Sequence, residues 1–361
     1  MTAGALSGDL SVLVVGALAC VAPVASRPTL QFGVRVPPEQ AGAPVIRRER
    51  RAYLWRTAGI GACCTVAALA LQGHESWWLP RIILLLELAA DFGCFWVARR
   101  QIGAVKQADG WFAGLRQTVA TDTSWRTDPP RFPVPWLIPA LAVIAATAAV
   151  GALRYPGLPA HLVTGSGHRA PKSAVIVLVV AFQLYVTVLW IGLMLIIYRS
   201  RPDIEVADPA MSTLRYRRFL AATTRALLTL LALVDTSLLL IALRSWQVYQ
   251  PSGIGRALPA LPFVAGLILL ATVARRAGQG GWRLNGNVRG LARATGTDRD
   301  DDRFWKAGLL YVNRDDPALV VGSHIGAGWT LNLGNPAAWL IIAGNIAALA
   351  GLVTIGMVAG M

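Results

Sequence analysis

Two long apolar runs, Trp136 to Leu153 and Ser173 to Tyr198, flank one compact polar stretch from Arg154 to Ser173. A helix needs roughly 20 mainly apolar residues to cross the hydrocarbon core of a bilayer, and each run is close to or beyond that length. Neither could stay in water, so the polar linker between them must lie at a membrane face. The pattern therefore predicts a transmembrane helical hairpin, and the rest of the chain can be placed around it.

The same reading, carried along the chain, finds further apolar runs at Leu6 to Ala25, Trp55 to Leu71, Leu79 to Ala98, Phe219 to Leu243, Leu258 to Val273 and Ala337 to Val358. With the hairpin this makes eight spans. Hydrophobic residues are 55% of the chain and charged residues 15%, which excludes a disordered chain and an ordinary soluble domain. The fold class expected is an all-α polytopic membrane protein of about eight helices. The first run lacks the Lys or Arg that opens a secretory signal, so it reads as a retained span. Cys20, Cys63, Cys64 and Cys94 all fall inside apolar runs without a CxxC pair, which fits small buried residues better than disulfides or a zinc site.

Basic residues set the expected orientation, because basic loops stay on the cytoplasmic side. The polar segments carry, in chain order, seven, one, six, three, six, two and nine Lys and Arg. Strong and weak segments alternate without a break. Placing the strong ones inside puts both termini and the Arg154 to Ser173 linker in the extracytoplasmic space. The net charge of +15 then belongs to the inner face, where anionic lipid headgroups are its natural partner. No nucleic-acid recognition fold can be discerned, so no nucleic-acid partner is expected.

Two inner segments carry short β-branched or aromatic runs separated by Asn, Asp, Gly and Pro, the texture of strands and turns. Leu309 to Val312, Leu319 to Val321 and Trp329 to Leu333 read this way, as do Leu30 to Val36 and Gln117 to Ala120. Together they predict a small β-rich cytoplasmic cap built from loops. Strands this short are marginal alone, which leaves independent loops as the alternative.

Four polar groups stand out inside the apolar runs. Glu87 and Asp91 lie four apart and so share a helix face; Asp235 and Asn345 lie within later spans. A charge at mid-bilayer costs roughly 2.5 to 3.5 kcal/mol on insertion scales, so these carboxyls must face protein and not lipid. At about 1.5 Å of rise per residue the three carboxyls fall at depths compatible with one polar layer. Two readings stay open: a proton or cation site, or neutral carboxyls acting as interhelical glue together with Asn345.

Other motifs fail on inspection. His74, His161 and His168 are placed outside and His324 inside, in loops where polar histidines are ordinary, and no metal site is assigned. Gly165-Ser-Gly-His-Arg-Ala170 only spells a dinucleotide fingerprint, since it follows a span rather than a strand. Pro171 stands where a phosphate loop needs Gly before Lys172-Ser173. A calcium loop beginning at Asp298 would put Arg303 at the obligatory Gly and Leu309 at the bidentate Glu. No Ser, Cys or His constellation suggests hydrolysis, and neither an enzyme nor a cofactor is expected.

Tyr155-Pro-Gly-Leu-Pro159, His161, Gly165 and Pro171-Lys-Ser173 resemble the outer-loop signature of SdpI-like bacterial membrane proteins, a group of toxin-immunity and signalling proteins with many uncharacterised members. Phe32-Gly-Val-Arg-Val-Pro37, Asp122-Thr-Ser-Trp-Arg-Thr-Asp-Pro129 and the Gly326 to Pro336 segment are similar to phrases of the larger actinobacterial branch. One spacing departs from the pattern: Pro159 and His161 stand closer together than the family's two prolines and histidine. The resemblance implies a non-enzymatic receptor or immunity protein. Its extracytoplasmic ligand, a peptide toxin or envelope signal, would meet Tyr155, Pro156, Leu158, Pro159, His161 and Lys172, and a cytoplasmic regulator would meet the inner face. The alternative from a different class is a proton- or cation-coupled transporter using Glu87, Asp91 and Asp235. Against it, the spans show no internal duplication and no paired Gly/Pro-broken helices.

Overall fold

The computed structural model describes residues 15–21, 23, 25–71, 78–111, 128–163, 169–200, 209–250, 255, 257–284 and 302–358. After a helical stretch at residues 15–21 come seven long helices: α1 (Pro44–Ala70), α2 (Leu79–Ala108), α3 (Ile138–Arg154), α4 (Lys172–Arg199), α5 (Pro209–Ser245), α6 (Ala260–Ala277) and α7 (Pro336–Val358). Proline occupies one of the first two positions of α1, α2 and α3, where its missing N–H leaves no intrahelical bond unmade. Among the described residues, five helices are long and apolar enough to cross a membrane: Val134–Gly157, Lys172–Arg199, Met211–Ser245, Ala260–Gly281 and Pro336–Ile355.

The runs at Trp55 and Leu79 lie in helices that also carry several charged residues. The first belongs to α1, which starts eleven residues earlier at Pro44 and passes through Arg47, Arg48, Glu49, Arg50 and Arg51 before its uncharged half begins at Thr57. In α2, any 18-residue stretch that holds both Glu87 and Asp91 also takes in Arg81 or Arg99. The run from Leu6 to Ala25 is described only in part.

The chain forms two compact units. The first comprises residues 1–131, 199–223 and 271–336. In it α1 and α2 pack antiparallel: Ala68 meets Ile83 near one end, and Ile46 shares a cluster with Ile102 near the other. Three antiparallel hairpins sit in this unit: β1 (Leu30–Gln31) with β2 (Val34–Arg35), β5 (Trp305–Lys306) with β6 (Leu310–Tyr311), and β7 (Val320–Gly322) with β8 (Trp329–Leu331). A parallel bridge between Tyr311 and Asn332 joins the last two hairpins. The strand textures at 30–36, 309–312, 319–321 and 329–333 thus become hairpins; Gln117 to Ala120 lies outside the described residues.

The β1–β2 turn is Phe32-Gly33, with φ of 50° and 70°, which is the left-handed pair a two-residue hairpin requires. A phenylalanine held there costs about 1–3 kcal/mol. The ring offsets this by burial, worth roughly 1.5–3 kcal/mol: it is 4% exposed, with ring centroids 5.1 Å from Tyr53 and 5.9 Å from Phe95. Arg99 of α2 then ties the hairpin down, since its Nη1 donates to the carbonyls of Phe32 (3.3 Å) and Gly33 (2.5 Å). Gly308, at the tip of the β5–β6 hairpin, faces the same guanidinium, and a Cβ there would stand 2.3 Å from Nη1. Burial lowers the Arg99 pKa, an effect that nearby Asp302 partly offsets. Asp302 itself pairs with Lys106, two turns further along α2.

The second unit comprises residues 132–198, 224–270 and 337–361. Ala140 of α3, Leu228, Leu231 and Ala232 of α5 and Val186 and Trp190 of α4 form its central cluster. Gly266 lets α6 approach α5 closely, since a Cβ there would lie 2.5 Å from Leu230 Cδ1. The Arg154 to Ser173 linker belongs to this unit and holds a hairpin that the sequence patterns did not reveal, β3 (His161–Val163) with β4 (Arg169–Pro171).

Candidate functional site

The linker is built around Lys172. Its Nζ donates to the carbonyls of Tyr155 (2.9 Å) and Leu158 (3.1 Å) and lies 4.5 Å from the centre of the Tyr155 ring. The Lys172 N–H donates to Ala160 O at 3.0 Å, and His161 pairs with Pro171 in the strand register. One side chain therefore closes the Tyr155-Pro-Gly-Leu-Pro159 turn onto the start of α4. Leu158 points inward, 6% exposed, into a cluster with Leu162, Ala242 and Trp246. Tyr155, Pro156, Pro159 and His161 are exposed. Of the six loop residues singled out in the sequence, Leu158 and Lys172 hold the turn and the other four form its surface.

Replacing Lys172 by Met keeps the apolar stem but removes both bonds. The expected result is a local loss of about 1–2 kcal/mol. It would be read as faster amide exchange across His161 to Val163, with exchange in the middle of α3 and α4 unchanged.

Glu87 and Asp91 lie in the first unit. Glu87 is fully buried; Cβ atoms placed on Gly16 and Gly61 would lie 3.0 and 3.5 Å from its Oε1, so two glycines make room for the carboxyl. Asp91 is 6% exposed, and none of the four carboxyl oxygens has a hydrogen-bond partner among the described residues. Asp91 lines a cavity of about 320 Å3 together with Tyr53, Phe92 and Phe95.

Asp235 and Asn345 lie in the second unit. Asp235 is fully buried and accepts a bond from Thr187 Oγ1 at 3.4 Å, while Gln183 Nε2 donates to the Asp235 backbone carbonyl (3.0 Å) and to Thr147 Oγ1 (3.1 Å). Asn345 takes part in a different contact: Tyr185 Oη donates to its Oδ1 at 3.0 Å. Because Gln183 and Thr187 are four apart and Tyr185 lies between them, α4 offers one face to Asp235 and another to Asn345. Gln183, Thr187 and Thr147 were missed in the sequence, although two polar residues four apart in the most apolar stretch of the chain are a usable signal.

His324 is 3% exposed and stacks on Trp305 with ring centroids 3.5 Å apart, so the fourth histidine is part of the hairpin core. Among the described residues, no group of three or more His, Cys, Asp or Glu could hold a metal ion. His74 and His168 lie outside the described residues.

The fold is that of a multi-pass membrane protein with small strand pairs appended to its helices. No protein-family model, curated protein or solved structure matches the chain.

Proposed function

We propose that this chain is a non-enzymatic membrane receptor or immunity protein of SdpI-like type, with eight spans and both termini extracytoplasmic. In this reading the Tyr155 to Lys172 loop meets an extracytoplasmic peptide or envelope signal, and the basic hairpin-bearing face holds a cytoplasmic regulator against the anionic inner leaflet. The observation that carries it is the Lys172 closure. A loop held in one conformation gives up little entropy on binding, and its exposed Tyr, Pro and His side chains are suited to contact a peptide.

A second reading, proton- or cation-coupled transport through Glu87, Asp91 and Asp235, is favoured by the buried Glu87 and Asp91 carboxyls, which have no hydrogen-bond partner among the described residues. One experiment separates the two. Cells lacking the chain are complemented with the wild type, with a Tyr155→Ala/Pro159→Ala/His161→Ala variant, or with Glu87→Gln/Asp91→Asn, and challenged with a panel of membrane-active peptides and envelope stresses. The receptor reading expects the loop variant to behave as the deletion and the carboxyl variant as wild type. Full protection by the loop variant, with loss in the carboxyl variant, would overturn it in favour of transport.

A further inference from the structure

We propose that the cavity beside Asp91 is a binding site for a hydrophobic organic cation, an amine or quaternary onium with an apolar body. The inference goes beyond both readings above, because equilibrium binding requires neither an outer ligand nor movement across the membrane.

The cavity, about 320 Å3, lies in the first unit and is walled by the helical stretch at residues 15–21, by α1, by α2 and by the turns of three hairpins, at Phe32, Leu309 and Ile325. That volume falls within the range of small-molecule sites, which are mostly apolar with a few placed polar groups. Here the walls include the rings of Phe32, Tyr53, Phe92 and Phe95; among the described residues Asp91 supplies the one carboxyl, and no Lys, Arg or His lines the cavity. The Tyr53 hydroxyl is already committed, donating to Ala19 O at 3.2 Å.

Asp91 is more than nine-tenths buried and both of its oxygens lack partners among the described residues. A buried carboxylate without a counter-charge is costly, so a cation that enters gains what the protein itself does not provide. Aromatic faces add to this, since their quadrupoles attract a cation with its hydration removed. The same lining disfavours the other occupants. A metal ion would find, among the described residues, a single carboxyl where several oxygen ligands are needed. An anionic amphiphile would bring a like charge to Asp91. Glu87, one turn away on α2, is enclosed by Gly16 and Gly61 and is not part of the wall, which makes it the internal control.

The test uses the full chain in lipid nanodiscs, with empty nanodiscs subtracted, and two probes of equal shape and opposite charge: tetraphenylphosphonium and tetraphenylborate. The expected result is saturable binding of the cation at one site per chain, no saturable binding of the anion, and loss of about tenfold or more in affinity for Asp91→Asn. Glu87→Gln should retain binding within about threefold. If Asp91→Asn does not yield monodisperse protein, Phe92→Leu serves instead and should weaken the cation several-fold. Equal binding of both ions, unchanged affinity in the folded Asp91 or Phe92 variant, or no saturable binding to monodisperse wild type would each overturn the proposal.

Discussion

Replacing Asn332 by Leu is expected to unfold the hairpin segment 302–336 while leaving α1 and α2 helical. Asn332 is fully buried, and its side chain is shared among five backbone groups. Its Oδ1 accepts from the N–H groups of Asn313 and Gly334, both at 3.0 Å. Its Nδ2 lies within bonding distance of the carbonyls of Asn313 (2.8 Å), Asp316 (3.0 Å) and Ala318 (3.1 Å). Leucine has nearly the same shape and none of these bonds. Each buried backbone group left unpaired costs roughly 1–3 kcal/mol, and the bonds to the Asn313 N–H and carbonyl are both buried. A total of about 3 kcal/mol or more is expected, enough to dominate the stability of a few two- and three-residue strands. The surroundings cannot relax to absorb it, since Gly334 already stands so near Asn313 that a Cβ would come within 2.4 Å of the Asn313 carbonyl carbon. Hydrogen exchange by mass spectrometry on detergent-solubilised protein checks the prediction: peptides covering 305–333 should lose protection while those of α2 keep theirs. If the proposed regulator binds this face, the same variant should stay in the membrane yet no longer retain the partner in a pull-down.

Much of the architecture was legible because the bilayer imposes a length and a polarity on any crossing segment. The runs at 136–153, 173–198, 219–243, 258–273 and 337–358 each correspond to a long apolar helix whose ends differ from theirs by a few residues. Hairpin strands were legible for a different reason: left-handed turns demand glycine, and Gly33, Gly308 and Gly326 mark the three tips in the first unit. Pattern reading could not extend α1 back through its arginines, because hydropathy marks only the apolar part of a helix, and α1 begins at Pro44 with an arginine-rich first half. Nor could it find β3 and β4, which are three residues each, too short for an alternating pattern to stand out. Arg99 was counted only as one more positive charge, whereas the structure places it between two hairpin tips. Of the candidate site residues, the buried carboxyls were visible as rare charges in apolar runs. Their environments were not, because Gly16 and Gly61 beside Glu87, and Gln183 beside Asp235, come from distant parts of the chain.

Truncating Trp246 to Ala should destabilise the second unit by about 3–5 kcal/mol and release the motif loop with it. Trp246 follows the end of α5, is fully buried, and packs with Leu158 and Leu162 of the linker, Val150 of α3 and Val175, Ile176 and Val179 of α4. The turn, the β3–β4 hairpin and three helix ends thus all pack in one cluster around this side chain. The fit is tight: a Cβ on Gly151 would stand 2.8 Å from Ile176 Cγ2 and 3.2 Å from Trp246 Cη2, so α3 gives up a side chain to admit the indole. Lys172 can still reach the Tyr155 and Leu158 carbonyls in the variant, but Leu158 would have lost the surface it is buried against. Trypsin cleavage after Arg154 and Arg169 reports this directly, because a loop held by Trp246 resists and a released loop does not. Trp246→Ala should lower the thermal midpoint in detergent and accelerate both cuts, while Trp246→Phe, which fills part of the volume, should fall between. A Gly151→Val variant attacks the same contact from the other side, by overpacking, and should cost about 1–3 kcal/mol. If both variants leave the cleavage rates at the wild-type level, the loop is held by Lys172 alone, and its exposed Tyr155, Pro159 and His161 face would not depend on the core beneath it.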